Sequence, residues 1–239
     1  MKALILSAAT LGALTTTPAL AQTTDRLEVS GSLSVATDYR FRGISQTDRN
    51  AAIQGALQAD YAVSEDWNVF ASVWASNLDF TDAELEVDFT GGATGKVGPG
   101  TLTVSGVYYT YPGADEALAY DYAELGVAYA QAAGPGTVTA GLLWSPDFFG
   151  GSGTALYGWA RGDLPVSDRL SLFVEAGHQT IEENASYGVP DYWTWQAGAA
   201  FTFGKATMSA AWVDTDLDAT QCSGDLCEGA FLASLSVAL

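Results

Sequence analysis

From Leu27 onward the chain alternates. The odd positions Leu27, Val29, Gly31, Leu33, Val35, Thr37, Tyr39 and Phe41 are largely apolar or aromatic. The even positions Glu28, Ser30, Ser32, Ser34, Ala36, Asp38, Arg40 and Arg42 are largely polar. A period of two sends successive side chains to opposite faces, so it specifies a strand. The pattern returns with Ile53, Gly55, Leu57, Ala59, Tyr61 and Val63, then with Leu85, Val87 and Phe89 against Glu84, Glu86 and Asp88. Trp193, Trp195, Ala197, Ala199, Phe201 and Phe203 repeat it, as do Phe231, Ala233, Leu235, Val237 and Leu239. Weaker alternation runs through 67–76, 101–111, 120–130, 137–144, 155–164, 170–179 and 206–213. The count is about twelve strands, an even number such as bacterial outer-membrane barrels use.

A soluble β-sandwich alternates too, so the connections decide. They are short and long in turn. Val63-Ser64-Glu65-Asp66, Val97-Gly98-Pro99-Gly100, Ala133-Gly134-Pro135-Gly136, Pro165-Val166-Ser167-Asp168 and Gly204-Lys205 are short. Residues 43–50, 77–82, 112–118, 145–153, 181–190 and 215–226 are long. Short turns at one rim and long loops at the other describe an all-β chain folded as a transmembrane antiparallel up-and-down barrel. The apolar face then meets lipid and the polar face lines the lumen. Tyr39, Phe41, Tyr61, Trp67, Trp193, Phe201 and Phe203 fall near strand ends, where aromatics form girdles at headgroup level.

Charge limits the partners. Asp and Glu number 28 against 9 Lys and Arg, a formal charge of −19. Nucleic-acid binding needs clustered Lys and Arg for phosphate, so that class is excluded. Lys2, the apolar stretch Ala3 to Leu14 and the Ala19-Leu20-Ala21 site read as a secretory signal peptide over 1–21, leaving a barrel domain over 22–239. No later run of 18 apolar residues offers a transmembrane helix. Export to an oxidising compartment lets the two cysteines, Cys222 and Cys227, pair across a polar loop.

Asp38-Tyr39-Arg40-Phe41-Arg42-Gly43-Ile44-Ser45-Gln46-Thr47, followed by Ala52-Ile53-Gln54-Gly55, resembles the start of the TorF family of predicted porins. Trp74-Ala75-Ser76-Asn77, Glu84-Leu85-Glu86-Val87-Asp88 and Tyr120-Asp121-Tyr122-Ala123-Glu124-Leu125 fit that family in outline. The resemblance implies a barrel in the outer membrane of a Gram-negative bacterium, with lipid around it and no cofactor. It names no solute. Many such barrels end in Phe, whereas this chain ends Val237-Ala238-Leu239.

On this facing the lumen receives the acids Asp38, Asp60, Glu84, Glu86, Asp88, Glu124 and Glu175 and the bases Arg40, Arg42 and Arg161. Arg40 and Arg42 would lie on the first strand, beside the one carrying Gln54 and Asp60. Two readings stand. Either these charges form an eyelet that sets a field across an open pore, or they form a salt-bridge network that plugs a narrow barrel. The expected function is accordingly a channel for passive diffusion of small polar solutes or cations, weakly cation-preferring. The alternative is a non-conducting barrel acting through structure or loops. Glu84, Glu86 and Asp88, spaced by two, would form one acidic lumen stripe. Catalytic signatures are weak: His178 is the only histidine, and it falls on the outward face. Asp214-Thr215-Asp216-Leu217-Asp218 has calcium-like spacing, but Ala219 stands where such a loop needs its turn glycine. Nothing in the sequence sets an oligomeric state.

Overall fold

The computed structural model describes residues 26–239 apart from 81 and 223; the segment 1–21, expected above to be a signal peptide, lies outside them. Fourteen strands follow one another: β1 (Leu27–Ala36), β2 (Arg40–Phe41), β3 (Ile44–Ser45), β4 (Ala52–Ala62), β5 (Trp67–Asn77), β6 (Leu85–Val97) and β7 (Gly100–Thr110), then β8 (Tyr122–Ala133), β9 (Gly136–Ser145), β10 (Ala155–Pro165), β11 (Leu170–Ile181), β12 (Tyr192–Phe203), β13 (Ala206–Thr215) and β14 (Ala230–Ala238). All except β2 and β3 form one closed barrel of twelve antiparallel strands. β1 closes it, pairing with β4 on one side and with β14 on the other. Closure leaves no unpaired edge, which a sheet in lipid requires.

The register fixes the facing. Ser34 opposes Gln54, Gln54 opposes Ser76 and Ser76 opposes Glu86, so one polar ring faces inward. Their neighbours face outward: Val35, Ile53, Ala75 and Val87. The outer surface is an apolar belt, with Ile53 at 68%, Leu125 at 62% and Val174 at 60% exposure. So much exposed apolar area is tolerable only against lipid. Tyr61, Trp67, Trp193, Phe201 and Phe203 lie on this outer face.

Gly98, Gly134 and Gly204 open three of the short hairpins with φ of 59°, 60° and 63°. Positive φ at the first of two loop residues is what a type II′ turn demands, and Pro99 and Pro135 suit the second position.

One expectation is corrected. β1 ends at Ala36, not at Phe41. Residues 37–51 leave the wall and fold back into the lumen as the β2–β3 hairpin, with Arg40 opposite Ser45 and Phe41 opposite Ile44. Tyr39 and Phe41 are therefore not girdle residues: they are 1% and 8% exposed, inside the barrel.

Candidate functional site: an internal plug

The hairpin turns on Arg42 and Gly43, with φ of 49° and 90°. Gly43 tolerates this freely; Arg42 does not, since an L side chain in the left-handed region costs about 1–2 kcal/mol. Its contacts offset that cost. Arg42 Nη2 donates to Glu124 Oε2 of β8 at 2.6 Å, and Nη1 donates to the Gln179 side chain of β11. The Arg42 and Glu124 side chains are each only 1% exposed. The guanidinium lies over the rings of Tyr157 and Phe41, 4.3 and 4.5 Å from their centroids. The Tyr109 hydroxyl donates to Glu124 at 3.0 Å. The first loop thus crosses the lumen and grips the walls facing it. Gly43 sits hard against β12 and β13: a Cβ there would lie 2.6 Å from Thr194 Oγ1 and would collide with Thr215.

The base of the plug is a second buried ion pair. Arg40 Nε donates to Asp38 Oδ2 at 2.9 Å, and Arg40 Nη1 donates to the carbonyls of Gly43 and Glu228. Ser45 Oγ donates to Asp38 Oδ1 at 2.6 Å, while the Thr47 hydroxyl accepts from Tyr39 N–H. Aromatic rings fill the rest of this half. Tyr39 meets Trp74 edge-on, Phe41 meets Tyr109, and Tyr109 stacks on Tyr122 at 4.4 Å. Phe148, from the loop joining β9 to β10, meets Tyr122 and Tyr187. The long-loop half of the barrel is therefore a packed interior rather than a bore.

The short-turn half mixes the two: Phe70, Phe173 and Thr207 are buried there, beside more accessible polar side chains. Glu28 opposes Asp60, and Gln58, Asp60 and Ser72 are half-buried. Midway, Arg161 pairs with Asp163 at 2.9 Å and Glu175 at 3.5 Å, and Gln196 donates to Glu175. Just beneath the hairpin, a small pocket, partly open to solvent, is lined by Arg40, Arg42, Tyr157, Glu175, Trp195 and Gln196.

The anticipated pore-lining residues thus divide. Asp60, Glu86, Asp88, Glu124, Arg161 and Glu175 occupy inward positions of barrel strands. Asp38, Arg40 and Arg42 are on the plug, not on β1. Glu84 precedes β6 and is exposed at the long-loop rim, so the three-acid stripe is a pair, Glu86 and Asp88. Glu86 accepts from the Tyr111 hydroxyl at 3.3 Å. Sequence reading missed the wall partners of the plug, Gln179, Tyr109 and Tyr157. Gln179 stands between His178 and Thr180, so its local sequence carries no clear signal of a plug contact.

Cys222 and Cys227 are joined in the loop between β13 and β14, with Cα atoms 6.1 Å apart. In this loop and at the end of β13 the acids serve the backbone. Asp216 accepts from Trp193 N–H, Asp214 from Thr215 N–H, and Asp218 from the N–H groups of Thr220 and Gln221. Among the described residues no group of three or more His, Cys, Asp or Glu could hold a metal ion. His178 packs its ring on Trp193 at 4.6 Å, on the outer face.

A closed twelve-stranded barrel with an apolar exterior and a charged, loop-filled interior defines a membrane β-barrel of the outer-membrane type. The sequence model of the bacterial protein family of unknown function Gcw_chp matches residues 20–236, and the chain belongs to that family. No curated protein matches it. Among solved structures it is similar to the COG4313 outer membrane channel from Pseudomonas putida F1. That likeness has 10% identity and a TM-score of 0.57, covering 91% of this chain and 96% of the other. The NanC porin also gives 10% identity and a TM-score of 0.57, covering 86% and 98%. A FadL homologue of Pseudomonas aeruginosa gives 12% identity and a TM-score of 0.55, covering 90% and 76%. At such identities the likeness carries the fold alone.

Proposed function

We propose that this protein is an outer-membrane channel for passive diffusion of small polar solutes, related to the TorF-type porins, whose resting state is closed by its own first loop. The observation that carries this reading is the nature of the obstruction. The lumen is blocked by a hairpin held through ion pairs, hydrogen bonds and ring contacts, beneath which lie the half-buried polar side chains Glu28, Gln58, Asp60 and Ser72. Such contacts exchange for water when the hairpin withdraws, whereas a bore filled by wall side chains alone has no comparable second state. The acid excess along the wall, Glu28, Asp60, Glu86, Asp88, Glu124, Asp163 and Glu175 against Arg161, supports a weak preference for cations. Short turns face the periplasm and long loops face outward in barrels of this kind. The leader ending at Ala21 supports export.

The test is conductance in planar bilayers. Wild-type protein should stay mostly closed with brief openings. A variant in which residues 38–50 are replaced by a short Asn-Gly turn should conduct steadily, with a reversal potential displaced toward the cation value. If that variant folds as a barrel and passes no current, the non-conducting alternative replaces the channel.

A further inference from the structure

The loop joining β13 to β14 has no strand or helix of its own, only turns and bends among its described residues. Yet it touches the plug at several points. Ser45 N–H donates to the Leu226 carbonyl at 2.9 Å, and Arg40 Nη1 donates to the Glu228 carbonyl at 2.7 Å. Arg49 Nη1 donates to the Asp225 carbonyl at 2.9 Å and to its carboxylate at 3.1 Å. Ile44 at the tip packs into a small apolar cluster with Leu217, Leu226, Tyr192 and both half-cystines. Cys227 is 1% exposed, and its carbonyl accepts from Thr215 Oγ1, which ties the cluster to the end of β13. The three carbonyls that meet the plug belong to residues 225, 226 and 228, within or next to the ring closed by Cys222 and Cys227.

We propose that this disulfide-closed loop is a redox-sensitive latch that holds the β2–β3 hairpin inside the barrel. The covalent ring presents the 225, 226 and 228 carbonyls at fixed positions, so the plug meets them without ordering the loop first. Opened, the same segment must lose chain entropy each time it clamps. The opening step is thiol–disulfide exchange with a dithiol. Its two sulfurs attack in turn, the Cys222–Cys227 bond breaks, the dithiol closes to its own disulfide, and its two protons end on the cysteine thiols. The latch rests on the reading of residues 37–51 as a removable plug; it does not depend on conduction.

Trypsin supplies a readout separate from current. Arg40 and Arg42 are 1% and 2% exposed and become cleavable only when the hairpin leaves the lumen. The full chain is reconstituted in lipid vesicles with its long loops outward, and cleavage after Arg42 is followed by mass spectrometry. Its rate should rise about tenfold or more in a variant combining Cys222→Ala and Cys227→Ala, in line with the entropy a small covalent ring removes. Dithiothreitol should reproduce the rise in wild-type protein and add nothing in the variant. Heat-modifiable migration of the variant in gels shows that its barrel is intact. Unchanged cleavage in an intact-barrel variant overturns the latch, as does unchanged cleavage in wild-type protein whose thiols are shown to be reduced. Faster cleavage without current upholds the latch and removes the channel reading.

Discussion

Arg42→Met is the most informative single change. It keeps the length and apolar body of the side chain and deletes the charge. Glu124 would then remain buried with the Tyr109 hydroxyl as its donor. Removing one partner of a buried pair costs about 3–5 kcal/mol, because the other charge is left uncompensated. Loss of the guanidinium over the Tyr157 and Phe41 rings adds about 0.5–1 kcal/mol or more. Barrel unfolding need not bear this cost. When the plug withdraws, water reaches Glu124 and the penalty disappears, so local opening relieves the strain first. The closed-to-open ratio of the hairpin should therefore fall by roughly two orders of magnitude or more. The urea midpoint of the barrel should move far less. Single-channel recording reads the open fraction, and tryptophan fluorescence in urea reads the barrel. Adding Glu124→Met to Arg42→Met should restore much of the closed state, since an apolar pair of similar volume replaces both charges. An unchanged open fraction in Arg42→Met, or a double variant as open as the single, would refute the reasoning.

The acidic pair on β6 gives a second expectation: Glu86→Gln with Asp88→Asn lowers cation selectivity in the plug-deleted channel, while Glu84→Gln at the rim leaves it unchanged. Reversal potentials under a salt gradient check both, and an effect of Glu84→Gln alone would count against the facing. Val174→Arg places a charge at the middle of the outer face of β11 and should cost about 2–4 kcal/mol of folding into bilayers, measured by urea titration in vesicles; a neutral result would mean that this face does not meet lipid. Acidification should loosen the long-loop rim before the barrel. Donation from Thr220 to Asp218, and from Thr154 N–H to Glu182, holds both carboxyls below their ordinary range. Groups with depressed values add stability above that range and lose it as pH falls through the depressed values, so amide exchange should speed up first around residues 154 and 218–221.

The twelve wall strands were legible because lipid on one side and polar lumen on the other impose a strict period of two. The plug was not, for a specific reason. Its first strand, Arg40–Phe41, continues the same alternation as β1, and a period of two cannot tell one sheet from another. The sequence does hold two hints. Arg40 and Arg42 put two long cations on what would be one barrel face, and Gly43 directly follows Arg42, which suits a turn with positive φ at both positions. The wall partners were out of reach: Glu124 and Gln179 are 82 and 137 residues from Arg42. The cysteine pair was legible from the expected export to an oxidising compartment and the one polar loop that holds both cysteines. Its contact with the plug was not, since Arg40 and Glu228 lie 188 residues apart.

The boundary between plug and wall is not fully satisfied. Arg40 Nη2, Glu124 Oε1, Glu86 Oε2, Asp88 Oδ1 and Tyr157 Oη are buried polar atoms without a hydrogen-bond partner in the protein. All belong to the plug or to the layer of wall residues around it. An unmet buried polar atom costs about 1–3 kcal/mol, more when charged. In a soluble core that cost would argue against the arrangement. In a barrel lumen it has another consequence, because water lies one hairpin's movement away. Withdrawal of the plug hydrates every one of these atoms, which offsets part of what the ion pairs and rings contribute to closure. If the hairpin is the gate proposed above, its closed state is then shallow enough for one charge, or one covalent ring, to decide the balance. The same residues read as a sealed core would predict the reverse: substitutions at Arg42 that unfold the barrel and leave no open channel to record.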